Sequence, residues 1–187
     1  MKQVIVLFFM VLLFTQCSTI RVFDTDTATD ALPAAYKTYG FYEFTAAGDT
    51  SSATFQLRSE ILKNAIKAEM NVRGYQFVPT RPDLLINIGI LVKRQIQTRQ
   101  TNWQNDGQFT YMGQRNYTWK SEEVEVGRYK EGTLTLHIVE TARNKMIWQG
   151  SMSGVVPDKP DTKTNTAGKA MKKLFEKYPF RAGVGGV

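Results

Sequence analysis

From Val4 to Phe14 the chain carries eleven residues without a polar side chain, and three positions later comes Cys17, its only cysteine. Eleven apolar residues match the roughly 7–15 of a secretory h-region and fall short of the ~20 that span a bilayer. With Lys2 ahead of them, residues 1–16 read as a signal peptide, and the fold has to be built after Cys17. With one thiol there is no disulfide framework to staple a small core, so stability has to come from apolar burial. The remaining stretch of about 170 residues is long enough for one such core.

A thiol directly behind an h-region suits lipoprotein processing, in which diacylglycerol is attached to sulfur and cleavage exposes the cysteine amine for further acylation. Phe14-Thr15-Gln16-Cys17 resembles a lipobox and departs from it at Gln16, where a small residue is usual. A structural cysteine or ordinary cleavage nearby are the alternatives. Several acyl chains at ~0.8 kcal/mol per buried CH₂ anchor a protein stably where one chain does not. The expectation is therefore a bacterial envelope protein lipidated at Cys17, held on a membrane by its acyl anchor. Ser18 and the absence of an acidic run after Cys17 point to the outer membrane, on its periplasmic face.

The formal charge of +7 falls to +6 once Lys2 is removed. Outside the cytoplasm nucleic acid is not an expected partner. Lipid head groups, cell-wall carboxylates or an acidic protein face are the anionic neighbours available, and plain solubility is the simpler reading. A composition of 42% hydrophobic and 22% charged residues is that of a folded domain, neither disordered nor membrane-spanning.

Residues 17–35 read as the anchor, a short strand at Ile20 and Val22, and a linker with Pro33. Alternation from Tyr36 to Phe44 reads as a strand, and Gly48 to Ser52 as a loop offering helix N-caps. From Thr54 to Arg73 the period becomes helical. Leu57, Ile61, Ala65, Ala68 and Val72 recur at three and four, flanked by Leu62, Ile66 and Met70, and Gly74 stands where a left-handed C-cap belongs. Asp83 to Val92 reads as a buried strand that continues, polar and basic, to about Thr101. Val124 and Val126, a turn at Lys130-Glu131-Gly132, then Leu134, Leu136 and Ile138 read as a hairpin, followed by a second turn at Ala142 to Lys145 and a strand from Met146 to Gly154. Ala167, Ala170, Met171, Leu174, Phe175 and Tyr178 describe a second amphipathic helix closed by Pro179. The expected fold is α+β, a two-layer sandwich of a mainly antiparallel sheet with two helices packed on one face, forming one domain over 36–180 with a flexible tail at 181–187.

Several stretches carry a family resemblance. They are Tyr36-Lys37-Thr38-Tyr39, Ala65-Ile66, Arg73-Gly74-Tyr75, Pro82-Asp83-Leu84-Leu85-Ile86, Tyr129-Lys130-Glu131-Gly132-Thr133-Leu134, Ile147-Trp148-Gln149-Gly150 and Phe175-Glu176-Lys177-Tyr178-Pro179. In that order and spacing they resemble the envelope lipoproteins catalogued as domain of unknown function 4136, across nearly the whole mature chain. Asp24-Thr25-Asp26 only approximates the early aspartate motif of that family. The resemblance implies an anchor and an architecture, and it supplies no catalytic residues. The residues themselves agree, since Gly74 and Gly132 permit backbone conformations that a Cβ opposes and Trp148 offers apolar area to a sheet–helix interface.

Chemistry finds little support in the sequence. His137, the only histidine, is expected on the polar strand face with Thr135 and Val139, opposite Leu134, Leu136 and Ile138. No G-x-S-x-G, phosphate loop or dinucleotide fingerprint is present, and no cofactor or metal is implied. Paired carboxylates, as in glycoside hydrolysis, are conceivable from Asp24, Asp26 and Asp30 or from Glu122, Glu123 and Glu125, with a solvated surface the simpler reading for both. The stretch from Asn102 to Trp119 mixes two Trp, two Tyr and a Phe with amides and Arg115. Trp103, Tyr111, Arg115, Tyr117 and Trp119 are the candidate binding surface for an envelope protein or a glycan, because aromatics and Arg are enriched at hot spots; cover for one end of the sheet is the structural alternative. The leading expectation is a non-enzymatic binding or scaffolding protein. A glycan-active enzyme, and an assembly subunit docking along the basic strand from Lys93-Arg94 to Arg99, are the alternatives.

Overall fold

The structure is a computed structural model and describes residues 20–48, 54–102, 106, 120–160 and 165–184. Six strands and two α-helices follow in the order β1 (Arg21–Thr27), a 3₁₀ turn (Pro33–Ala35), β2 (Thr38–Gly48), α1 (Phe55–Val72), β3 (Gln76–Phe77), β4 (Leu84–Gln100), β5 (Glu123–Glu140), β6 (Lys145–Val156) and α2 (Thr166–Phe175).

The strands form one mixed sheet in the order β1-β6-β5-β4-β2-β3. β4, β5 and β6 are antiparallel neighbours and β1 joins β6 antiparallel, whereas β2 lies parallel to both β3 and β4. The parallel pairing of β2 with β3 needs a crossover, and α1 supplies it. The class is therefore α+β with a mainly antiparallel sheet.

Period-two alternation decides what the sheet buries. Ile86 pairs with Ile138 and Ile138 with Trp148, while Ile88 pairs with Leu136, so each row places apolar side chains on one face. Those residues share one core cluster with Ile66 and Met70 of α1 and with Met171, Leu174 and Phe175 of α2. Trp148 lies in the sheet–helix interface as expected, 1% exposed, its ring centroid 5.2 Å from Tyr178 and 6.1 Å from Phe175. Beside it Gly150 has no side chain because a Cβ there would overlap the indole. On the opposite face, His137 sits in register between Asn87 and Gln149, as the alternation requires.

α2 is the amphipathic helix that its spacing describes: Ala170, Met171, Leu174 and Phe175 are buried, and Asn165 caps it by accepting from the Gly168 N–H at 3.2 Å. In α1 the buried positions are Ser59, Ile66 and Met70. Leu57 and Val72, at the ends of the expected stripe, are 51% and 72% exposed. The apolar arc of α1 is wide, and the half carrying Ile66 and Met70 turns inward. Gly74 ends the helix with φ +87°, its N–H donating to Asn71 O at 2.9 Å and that of Tyr75 to Met70 O at 3.1 Å.

One expected turn is absent. β5 runs unbroken through Lys130-Glu131-Gly132, each paired to β4 on one side and β6 on the other. Gly132 serves packing instead, since a Cβ there would come within 2.7 Å of Val156 Cγ2. The antiparallel set is β4-β5-β6, and its first connection is the 102–119 excursion. β4 also carries its pairing well past the core. β2 leaves it at Val92 and β6 leaves β5 at Lys130, so from Gln95 and Tyr129 outward the two strands continue as a two-stranded ribbon.

At the C-terminal end, within the expected flexible tail, the Ala182 N–H donates to Arg73 O and the Gly183 N–H to Tyr36 O, both at 3.0 Å. The chain is tied to the body that far.

Candidate functional site

Where the inner face of the sheet passes beyond the middle of the helices, it loses side-chain bulk at two glycines. Gly48, Val92, Gly132 and Gly154 are mutual register partners across β2, β4, β5 and β6. Of that row Val92, Gly132 and Gly154 line the floor, and the two glycines add no side-chain bulk to it. Above it the first turns of α1 and α2 stand apart, and the space between is a cavity of about 230 Å³. Its walls are apolar, with Phe55, Leu62, Ile90, Leu134, Met152 and Met171 among them.

Polar groups are few there. The Ser59 hydroxyl turns back on its own helix, donating to Phe55 O at 2.9 Å. Arg58 is the one charged residue on the described lining, and its Nη2 donates to the carbonyls of Pro157 and Asp158, both at 2.8 Å. Those bonds fix the guanidinium beside the segment that leads to Pro160. On another side Ile20 lines the cavity, with its carbonyl held by Lys173 Nζ of α2 at 2.7 Å. The start of the described chain is thereby pinned at this space.

The carboxylates that the sequence offers for chemistry do not converge. Asp26 accepts from its neighbour's N–H, Thr27, at 2.8 Å. Asp30 binds Lys145 Nζ at 2.6 Å and Arg143 Nη1 at 3.3 Å, and the Lys145 hydrogen bond leads the effects that hold its pKa below the ordinary carboxylate value. Arg143 also donates from Nε to Glu140 at 2.7 Å, and Glu140 accepts from the Tyr36 hydroxyl at 3.0 Å. This network staples the segment before β2 to the β5–β6 turn. Among the described residues no three His, Cys, Asp or Glu side chains group as a metal site.

Glu122, Glu123 and Glu125 lie where the ribbon is exposed. Glu123 accepts from the Thr98 hydroxyl, and Glu125 pairs with Arg128, whose hydrogen bond leads in lowering the Glu125 pKa. The basic strand has partners too. Arg99 Nη1 donates to Asp106 at 2.6 Å, and this bond, with the Asn102 N–H, lowers the Asp106 carboxyl to about 2.

Cys17 and the five candidate surface residues Trp103, Tyr111, Arg115, Tyr117 and Trp119 lie outside the described residues. The cavity was missed by sequence reasoning because its walls come from six separate segments. The signals the sequence did carry were the glycines at 132 and 154, register partners on the floor.

Family motifs fall on structural joints. Asp83 of the Pro82-Asp83 stretch accepts from the Lys37 N–H at 2.9 Å and from the Thr38 N–H at 2.8 Å. Arg73 reaches Phe175 O at 2.6 Å and Glu69 at 2.7 Å, joining the end of α1 to the end of α2.

Among the described residues no helix is long and apolar enough to cross a membrane. Curated proteins give no match to the chain. Among solved structures it is similar to a PDZ domain protein from Parabacteroides distasonis, at 12% identity and a TM-score of 0.48, over 87% of this chain and 37% of that one. It is also similar to PelC from Paraburkholderia phytofirmans, solved as a dodecamer, at 10% identity and a TM-score of 0.47, over 87% of this chain and 98% of that one. The chain thus spans little more than a third of the first of these proteins. A family model matches residues 22–180, from the second residue of β1 to the segment beyond α2. The chain belongs to that family, DUF4136, a domain of unknown function.

Proposed function

We propose that this protein is a lipoprotein of the bacterial envelope, anchored through Cys17 at the outer membrane and facing the periplasm, with a non-enzymatic binding role served by the apolar cavity. The observation that supports it most is the character of that cavity. A concave apolar space with a single charged group at its wall suits binding and orientation of a ligand. Among the described residues its lining offers no acid–base pair, since the one charged residue there is an arginine and the serine is spent on its own helix. Asp30 sits in ion pairs with Lys145 and Arg143, and Glu123 and Glu125 lie on the exposed ribbon, which speaks against the glycan-active alternative built on Glu122, Glu123 and Glu125. The finer reading of the fold, two layers with both helices on one face, rests on the single core that joins α1, α2 and alternate strand positions.

The assembly alternative draws on the ribbon, whose outer edges have no neighbouring strand among the described residues and so offer backbone groups for pairing. Anchoring is tested by growing cells with a labelled fatty acid and following the label on the wild-type chain and on Cys17→Ala. Label on the wild-type protein alone supports the reading; an unlabelled wild-type protein released in soluble form contradicts it.

A further inference from the structure

We propose that the cavity between the first turns of α1 and α2 and the glycine row of the sheet takes a single acyl chain, with Arg58 receiving the carboxylate at its end. Size is the first argument. A space of about 230 Å³ is smaller than the ~300–1,000 Å³ of ordinary ligand pockets, which limits the guest to a small or slender molecule. Its lining is the second. Apolar side chains make up most of it and favour the apolar part of a guest, and the Ser59 hydroxyl is already satisfied within its own helix.

Charge and position narrow the guest further. Arg58 is the only cation on the described lining, and no carboxylate among the described residues pairs with it. A guanidinium held by two backbone carbonyls keeps its full charge for an anionic head group. Ile20 forms part of the wall and is fixed there by Lys173. It lies three residues after Cys17, a reach of at most about 11 Å for an extended chain. The mouth is therefore close to any membrane that the anchor holds, where acyl chains abound. This step rests on the anchored reading above, whereas the cavity and its chemistry do not.

The source is free fatty acid of the membrane, because a chain of the anchor itself is held as an ester or an amide and has no carboxylate to offer Arg58. The test titrates the purified acylated protein and its Cys17→Ala counterpart with cis-parinaric acid, a fluorescent long-chain fatty acid. Saturable one-to-one binding by both proteins assigns the cavity to free fatty acid. Binding by Cys17→Ala alone would mean that a chain of the anchor fills the space in the acylated protein, and overturns the assignment of a carboxylate to Arg58. No saturable binding by either overturns the proposal.

Blocking variants locate the site. Ala167→Trp from α2 and Ile61→Trp from α1 each fill the cavity, and either one that retains a cooperative unfolding transition is expected to weaken binding at least about tenfold, ~1.4 kcal/mol. Wild-type affinity in a folded blocking variant overturns the proposal. Arg58→Gln is expected to weaken the acid about tenfold while leaving the matching long-chain alcohol unchanged; equal loss for both would make Arg58 structural and refute its role at the carboxylate. A wild-type chain that carries no acyl group yet binds the probe sinks the anchored reading and leaves the cavity assignment standing.

Discussion

Asp83 and Thr38 hold each other reciprocally. The Asp83 carboxylate accepts from the Thr38 N–H and from its hydroxyl, both at 2.8 Å, while the Thr38 Oγ1 accepts from the Asp83 N–H at 2.9 Å. The Lys37 N–H adds a third donor to the carboxylate at 2.9 Å. This knot ties the first residue of β2 to the start of β4, its parallel neighbour, and sets the register Tyr39 to Leu84 from which the core rows follow.

Asp83→Asn keeps the shape of the side chain and loses its charge-assisted acceptors. It is expected to cost about 1–2 kcal/mol, read as a lower denaturant midpoint at unchanged slope. A midpoint equal to wild type would remove Asp83 from the account of the register.

Acid should destabilise the protein through two carboxylates. At Asp83, partial burial raises the pKa, but the hydrogen bonds from Lys37 and Thr38 outweigh it and the net shift is downward. At Glu140 the Arg143 hydrogen bond leads, and the net shift is again downward. Groups with depressed folded pKa values contribute stability that is complete above their unfolded values, about 3.9 for Asp and 4.3 for Glu, and that is lost as pH falls through the folded values. Thermal melts between pH 3 and 7 should fall mainly below about pH 4. Glu140→Gln should lower the melting temperature at pH 7 by several degrees and flatten that acid limb; an unchanged limb in the variant would exclude Glu140 as a contributor.

Trp148 fills the interface between β6 and α2 against Phe175 and Tyr178. Trp148→Ala removes a fully buried indole and is expected to cost about 3–5 kcal/mol. Gly150→Ala is also expected to destabilise, because its new methyl meets the Trp148 ring and Leu174. In the Trp148→Ala background that cost should shrink, a coupling that a double-mutant cycle of unfolding free energies measures. Additive costs would contradict the contact.

Among the described residues the outer half of β4 has only β5 beside it and none of the buried core beneath. Amides at Arg94 to Gln100 should exchange with solvent at least about a hundredfold faster than those at Leu84 to Ile90, where both neighbouring strands and the helices cover the backbone. Equal protection along β4, measured by hydrogen exchange, would mean that the ribbon is covered by something else.

Much of this architecture was legible because its signals were local. The spacing of Ala170, Met171, Leu174 and Phe175 defined both the existence and the inner face of α2, and Gly74 marked the end of α1. In α1 the arc from Leu57 through Ile66 to Val72 is apolar on two adjoining stripes, and helical periodicity alone does not say which one meets a sheet. Gly132 misled because a glycine between two alternating runs serves equally as a turn or as a strand position opposite a crowded neighbour, and Val156 on β6 decides between them. The parallel placement of β2 between β3 and β4 depends on pairing across the chain, which no local pattern encodes. The cavity was hidden for the same reason. Ile20, Arg58, Gly132 and Ala167 have no relationship in sequence and meet only when the sheet and both helices are assembled.

Native mass spectrometry of the protein extracted from envelopes bears most directly on the claim that an anchored protein carries an acyl-binding cavity. The account expects covalent acylation at Cys17 in the wild-type and Ala167→Trp proteins alike, and a non-covalent fatty-acid adduct on the wild type that is lost in Ala167→Trp. An unmodified Cys17 together with identical adduct patterns in the two proteins would contradict it.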